Sequence, residues 1–231
     1  MSVTPEARRN ARTILDRLRR RYPTIRTALR FESPWQLLVA TVLSAQTTDD
    51  TVNRVVPTLF GRWASPHELA AANPEEVEAV VHPTGFFRQK TRAVIELSAD
   101  LVERFDGVVP ADLADLVSLK GVGRKTASVV LTEAFGLPAI AVDTHVGRVT
   151  RRLGLTVAGD PVKVEAALRE LYPESAWSGI SMRFIQFGRD TCDARRPKCY
   201  DCVLVDRCSF PEKRMSPEAP IVKGRSDAGG S

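Results

Sequence analysis

Apolar residues recur at helical rather than strand spacing along nearly all of this 231-residue chain. Ile14, Leu15 and Leu18 form one stripe, which stops near Pro23. Ser33-Pro34 pairs a capping residue with proline at the first helical position, where a missing N–H does no harm, and it opens the apolar run Trp35 to Leu43. Asn73-Pro74-Glu75-Glu76 resembles a capping box, with its acid at the third helical position. The spacing of Val94, Ile95, Leu97, Leu101 and Val102 predicts a long helix from about Phe86 to Phe105. A further helix is predicted after Asp160-Pro161, through Val164, Ala167, Leu168 and Leu171. Shorter helical patterns run from Asp112 to Leu119 and from Arg124 to Phe135. Period-two alternation is scarce and no repeat is visible, so the fold class is all-α.

Composition changes this picture little. Hydrophobic residues make up 43% and charged residues 26%, ordinary values for a globular chain long enough for one sizeable domain or two small ones sharing a cleft. No apolar stretch approaches the roughly 18 residues that a membrane span needs. The N-terminus lacks the apolar core of a secretory signal, and Glu6 and Asp16 count against an organelle transit peptide. Ser216 to Ser231 has two prolines, three glycines and three serines, and a disordered tail is expected over 215–231.

Charge is more informative. The net charge is +5, but residues 1–30 carry nine arginines against Glu6 and Asp16. Residues 183–214 carry eight basic and five acidic groups, whereas the stretch between is net acidic. If the two ends meet, they form one basic surface suited to a phosphate backbone. For the N-terminal run alone, a solvated helix face is the plainer reading.

All four cysteines, Cys192, Cys199, Cys202 and Cys208, fall in a C-x6-C-x2-C-x5-C run. Nothing in the chain suggests secretion, which disfavours disulfides. Four thiolates without a nearby histidine suit zinc or an iron–sulfur cluster, and spacing does not choose between them. Either metal would staple a polar loop and present Arg195, Arg196, Lys198 and Arg207 to a partner.

Between two helical patterns lies Leu119-Lys120-Gly121-Val122-Gly123-Arg124-Lys125-Thr126. Two glycines one residue apart permit a sharp turn whose N–H groups face an anion at a helix N-terminus. Lys120, Arg124 and Lys125 around them favour a phosphate-binding helix–hairpin–helix over a plain connector. Lys125 sits in the first helical turn, where the dipole and partial burial in a cleft would disfavour its ammonium form and free a nucleophilic amine. Taken alone, it reads more readily as an exposed phosphate contact. Asp143 ends the apolar run Pro138 to Val142 and precedes helical spacing at Val146, Val149 and Leu153, so it is a candidate N-cap held ionised by backbone amides. The preceding helix is about 18 Å long, and an extended return over residues 136–142 covers about 23 Å. The chain can therefore bring Asp143 beside Lys125. His145 reads as structural.

These motifs resemble the endonuclease III family of helix–hairpin–helix DNA glycosylases. The resemblance spans roughly residues 5–212 and rests on Leu43-Ser44-Ala45-Gln46, Gly121 to Thr126, Ala141-Val142-Asp143-Thr144-His145 and the cysteine spacing. It implies a six-helix domain over 30–143 and a second helical domain, from 1–29 and 144–214, around a [4Fe–4S] cluster held by the four cysteines. It implies Lys125 as Schiff-base nucleophile and Asp143 as essential carboxylate. Gln46 would fill the gap left by an extruded nucleotide, and Phe86 would stand at the wedge position, where relatives carry a smaller aliphatic. Lys120, Gly121, Gly123 and Arg124, with Arg195, Arg196 and Lys198, would hold DNA. Lys120 replaces the proline usual before the hairpin glycines, adding charge and removing rigidity.

The implied activity is excision of oxidised pyrimidines, followed by cleavage 3′ to the abasic site by β-elimination. The implied partner is double-stranded DNA with damaged bases or abasic sites, bound by a monomer without membrane contact in a bacterial cytoplasm, at the nucleoid. Two alternatives stand beside it: a monofunctional mismatch glycosylase for adenine or uracil, which would usually lack a lysine at 125, and a non-catalytic DNA-binding iron–sulfur module.

Overall fold

Side-chain caps decide where most helices of this chain begin. In the computed structural model, which describes residues 3–222, the helices are α1 (Pro5–Arg21), α2 (Pro34–Leu43), α3 (Asp49–Arg62), α4 (Pro66–Ala70), α5 (Pro74–Val81), α6 (Phe87–Phe105), α7 (Leu113–Ser118), α8 (Arg124–Ala134), α9 (Thr144–Arg152), α10 (Pro161–Leu171) and α11 (Ile180–Asp190). No strand occurs among the described residues, as the sequence pattern implies. Thr4, Ser33, Thr48, Ser65, Asn73, Asp112, Asp143 and Asp160 each accept an amide proton from two or three residues on. Each cap satisfies an otherwise orphaned donor. At Asn73 the bond runs from the Glu75 amide at 2.8 Å. At Ser65 and Ser33 a third-position side chain reaches back to the amide just before the cap: Glu68 accepts from Ala64 at 2.7 Å and Gln36 from Glu32 at 2.8 Å. The long helix starts at Phe87, one residue later than the pattern suggests, because Phe86 has a left-handed backbone, φ 47°.

Two compact units result. The first is Thr27–Leu137, and the second contains the described residues up to Arg26 and from Pro138 onward. Helix α2 centres the first unit, with Trp35, Leu37, Leu38, Val39, Ala40 and Leu43 all buried. A helix apolar on every side must be covered on every side, and α3, α6 and α8 pack on it. Leu37 and Leu38 are wholly inaccessible, and truncating either to alanine would cost about 2–5 kcal/mol.

In the unit built from both chain ends, α1 packs on α10 and α11, and α11 packs on α9. Its core includes Ile14, Leu18, Val146, Val149, Phe184 and Phe187. Polar ties reinforce this closure. The Tyr22 hydroxyl donates to Asp190 at 2.7 Å, and its own ionisation is pushed up to about 12 by burial and then by that bond. Arg17 pairs with Asp206 and donates to Val203 O at 2.8 Å.

Part of the stretch expected as a disordered tail has ordered contacts. Arg214 donates to Ala219 O at 2.9 Å and also to Pro217 O. Val222 is buried, and its amide donates to Arg195 O at 2.9 Å. One guanidinium gathering carbonyls orders this segment, which composition does not register. The remainder of the expected tail, 223–231, lies outside the described residues. No described helix is long and apolar enough to cross a membrane.

Candidate functional site

The glycine hairpin joins α7 to α8 within the first unit. Gly121 has φ 74°, a turn that a side chain resists. Gly123 caps α8 with no side-chain bond to the first amides, and a Cβ there would meet nothing within 4 Å. The α8 N-terminus is thus open to an anion. Val122 and Leu119 are buried beneath and anchor the turn. The Lys120 amide donates to Asp100 Oδ2 at 3.1 Å. Arg104 binds the same carboxylate at 3.2 Å, Ser118 O at 3.0 Å and Ser118 Oγ at 2.7 Å. A proline at 120 could make no such bond, so the structure replaces ring rigidity with an anchored amide.

Lys125 lies in the first turn of α8 with its side chain exposed. The partial burial expected for it is therefore absent, because the hairpin projects the start of α8 into solvent. Gln46 and Phe86 belong to the same unit. Both are exposed, Phe86 to 64%. Both have left-handed backbones, φ 53° and 47°, at a cost of roughly 1–2 kcal/mol each.

Sequence reasoning missed Lys90, which is buried beneath these two residues at 5% exposure. Its ammonium donates to Thr47 Oγ1 and to Thr84 O, each at 2.7 Å. A signal was available: Lys90 lies four residues before Val94, on the buried stripe of α6, where an apolar residue belongs.

Asp143 and the cysteines belong to the second unit. Asp143 is half-buried and caps α9, accepting the Val146 amide at 2.8 Å. The run leading to it is buried from Ala139 to Val142 and pinned where the Ala141 amide donates to Ser181 Oγ at 2.9 Å. Gly188 lets α11 approach α9 so closely that a Cβ would lie 3.0 Å from that of His145. Burial lowers the His145 pKa, against the pull of Asp143. Arg148 Nη2 lies 3.0 Å from His145 Nδ1 and donates to Gly188 O at 2.9 Å, while its Nε donates to Cys192 O at 3.2 Å. Arg152 donates to Asp193 O and Ala194 O at 2.7 Å each, and it stacks on Phe210 at 4.2 Å. Helix α9 thus holds the carboxylate at one end and the cysteine loop at the other.

The four cysteines are free and all line one pocket, with Leu153, Phe187 and Pro197. Burial pushes the Cys202 thiol up to about 11 and raises Cys208 as well. Among the described residues no three ligands gather around a single-ion position. Four thiols lining one pocket with no histidine among its residues are the donor set that a four-thiolate metal group uses. Arg195, Arg196 and Lys198 are exposed on the loop, whose turn is fixed by Asp193 Oδ1 accepting the amides of Arg195 and Arg196 at 2.8 and 2.7 Å.

Residues 39–174 match the HhH-GPD superfamily of base excision DNA repair proteins. Endonuclease III of Synechocystis is 45% identical, covering 87% of this chain and 92% of that protein. Endonuclease III of Bacillus subtilis is 43% identical over the same shares. Among solved structures, an endonuclease III trapped as a covalent intermediate with DNA superposes with a TM-score of 0.86 at 42% identity, covering 90% of this chain and 99% of the other. The chain therefore belongs to the HhH-GPD superfamily and, within it, to the endonuclease III family: it is an enzyme of base excision repair, a DNA glycosylase and abasic-site lyase.

Proposed function

We propose that this enzyme removes oxidised pyrimidines from duplex DNA and cuts the strand through a Schiff base on Lys125. One arrangement carries the reading: an exposed lysine in the first turn of a helix entered through an uncapped glycine hairpin, in a chain whose second unit fixes a carboxylate as a helix cap. The covalent trapping of an endonuclease III on DNA, reported for that relative, supports a covalent route.

Extruding a nucleotide costs a few kcal/mol. Hairpin amides, Lys120 and Arg124 hold the backbone, while Gln46 and Phe86 take the place of lost stacking. Breakage of the glycosidic bond builds positive charge on the sugar, which ionised Asp143 stabilises. The Lys125 amine attacks C1′ as the base leaves with the bonding electrons and a proton. The sugar ring then opens as the C1′–O4′ bond breaks and a proton passes from the lysine nitrogen to O4′, giving the Schiff base. Loss of the C2′ proton breaks the C3′–O bond and expels the 3′ phosphate, and water hydrolyses the unsaturated imine to an aldehyde and free lysine. Cys192, Cys199, Cys202 and Cys208 would hold a [4Fe–4S] cluster, which when bound supplies a four-point cross-link for the loop bearing Arg195, Arg196 and Lys198.

Borohydride trapping on a thymine-glycol duplex tests the reading. Wild type gives a covalent adduct and Lys125→Gln gives none. Asp143→Asn slows base removal by on the order of 10²–10³-fold. An undiminished adduct with Lys125→Gln would sink the assignment.

A further inference from the structure

Among the described residues only three non-glycines have positive φ, and Gln46 and Phe86 are two of them; the third, Asp106, ends α6. Such backbone persists only where its surroundings over-determine it. Backbone bonds such as Thr47 N–H to Ser44 O and Gly85 N–H to His82 O fix each turn locally, and one side chain joins the two turns. Thr47 follows Gln46, and Thr84 precedes Gly85-Phe86. Lys90 Nζ donates to both Thr47 Oγ1 and Thr84 O, and the Thr47 hydroxyl also donates to Thr84 O. The Lys90 amide meanwhile donates to Phe86 O at 3.0 Å. The ammonium thereby grips the carbonyl before Gly85 and, through Thr47, the turn that carries Gln46, while the amide bond to Phe86 O is the ordinary first-turn bond of α6.

The choice of lysine needs a reason. Both side-chain partners are uncharged, and a buried ammonium without a counter-charge is unfavourable; burial lowers its pKa accordingly. A methionine would fill the space without that cost. What it lacks is donors: an ammonium has three and no acceptor, so it can hold two oxygens of different loops together. Burial at 5% exposure also removes Lys90 from the set of phosphate contacts.

We infer that Lys90 is a positioning residue, clamping the Gln46 and Phe86 loops in the backbone forms that present both side chains to the duplex. The inference rests on the insertion role proposed above for those two residues.

The test uses full-length enzyme and a duplex with a tetrahydrofuran abasic analogue opposite 2-aminopurine, which reports insertion without any chemistry. Wild type raises the 2-aminopurine fluorescence on binding. Lys90→Met and Thr47→Val lose most of that rise, whereas Thr47→Ser, which keeps the hydroxyl, retains it. The salt dependence of binding is unchanged in all three, since no phosphate contact is removed. Single-turnover removal of thymine glycol falls by on the order of 10²-fold in Lys90→Met, while strand cleavage at a preformed abasic site in single-stranded DNA is unaffected. If Lys90→Met fails to fold, Thr47→Val carries the test alone. A full fluorescence rise in folded Thr47→Val overturns the clamp, as does equal loss on the single-stranded substrate. Wild type inactive on thymine glycol but positive for fluorescence would overturn the lesion assignment and leave the clamp standing.

Discussion

At the scale of single residues, position 120 shows how one substitution is absorbed. Leu119 has ψ 143°, which suits a residue before proline, yet lysine follows and its amide binds Asp100. Lys120→Pro would gain about 0.4–1 kcal/mol by restricting the unfolded chain. It would forfeit a bond to a carboxylate worth about 1.5–3 kcal/mol. We expect a net loss of about 1 kcal/mol, and a gain when Asp100→Ala has already removed the acceptor. Urea denaturation of the four members of that cycle measures both signs. Sequence legibility at this scale was uneven. The hairpin glycines and the Asp143 cap declare themselves by residue type and neighbours. The Asp100–Lys120 and Lys90–Thr84 bonds join side chains to backbone atoms, and backbone atoms carry no sequence signal.

At the scale of elements, helices with a side-chain cap and a first-position proline are readable from sequence, as α2, α5 and α10 are. Helix α11 starts from left-handed Gly179 without a side-chain cap, and α3 has Pro57 within it, so neither announced itself. Helix α9 links Asp143 to the cysteine loop, because Arg148 and Arg152 tie the helix that Asp143 caps to that loop. With the cluster proposed above, Cys199→Ser should reduce its visible absorption and speed hydrogen exchange at the Val146 amide, which Asp143 binds; unchanged exchange would show the two ends of α9 to be independent. His145 adds a pH dependence. An unfolded histidine titrates near pH 6.5, whereas burial keeps the folded ring neutral to lower pH. The unfolded chain therefore takes up the proton first, and stability falls as pH drops below about 6.5 until the folded ring protonates too. His145→Gln should flatten that part of a Tm-against-pH curve.

At the scale of the whole molecule, both basic segments of the sequence, apart from Arg30, belong to the chain-end unit, but their charge is not all available to a partner. Arg17 is paired with Asp206, Arg183 donates to Gly179 O and Pro23 O, and Arg214 binds two carbonyls. Counting charges along a sequence cannot separate these from free ones. Lys120→Ala should lower the slope of log K against log salt by about 1, measured by fluorescence anisotropy on an abasic-analogue duplex. Arg17→Ala should leave the slope unchanged and lower Tm.

The chain-end construction also sets a schedule for biosynthesis. Helix α1 leaves the ribosome first, yet its packing partners α10 and α11 follow only after residues 27–137 have been made. At about 5–20 residues per second, those residues alone take roughly 6–22 s. Throughout that interval Ile14, Leu15 and Leu18 have no core to enter, while the middle unit already holds everything its own core requires. The apolar stripe of the nascent α1 thus stays without its packing partners until the second unit is made. Loading of the proposed cluster, which needs Cys208, can only follow synthesis of nearly the whole chain, and a message truncated upstream of it would yield the hairpin unit attached to an unfinished partner.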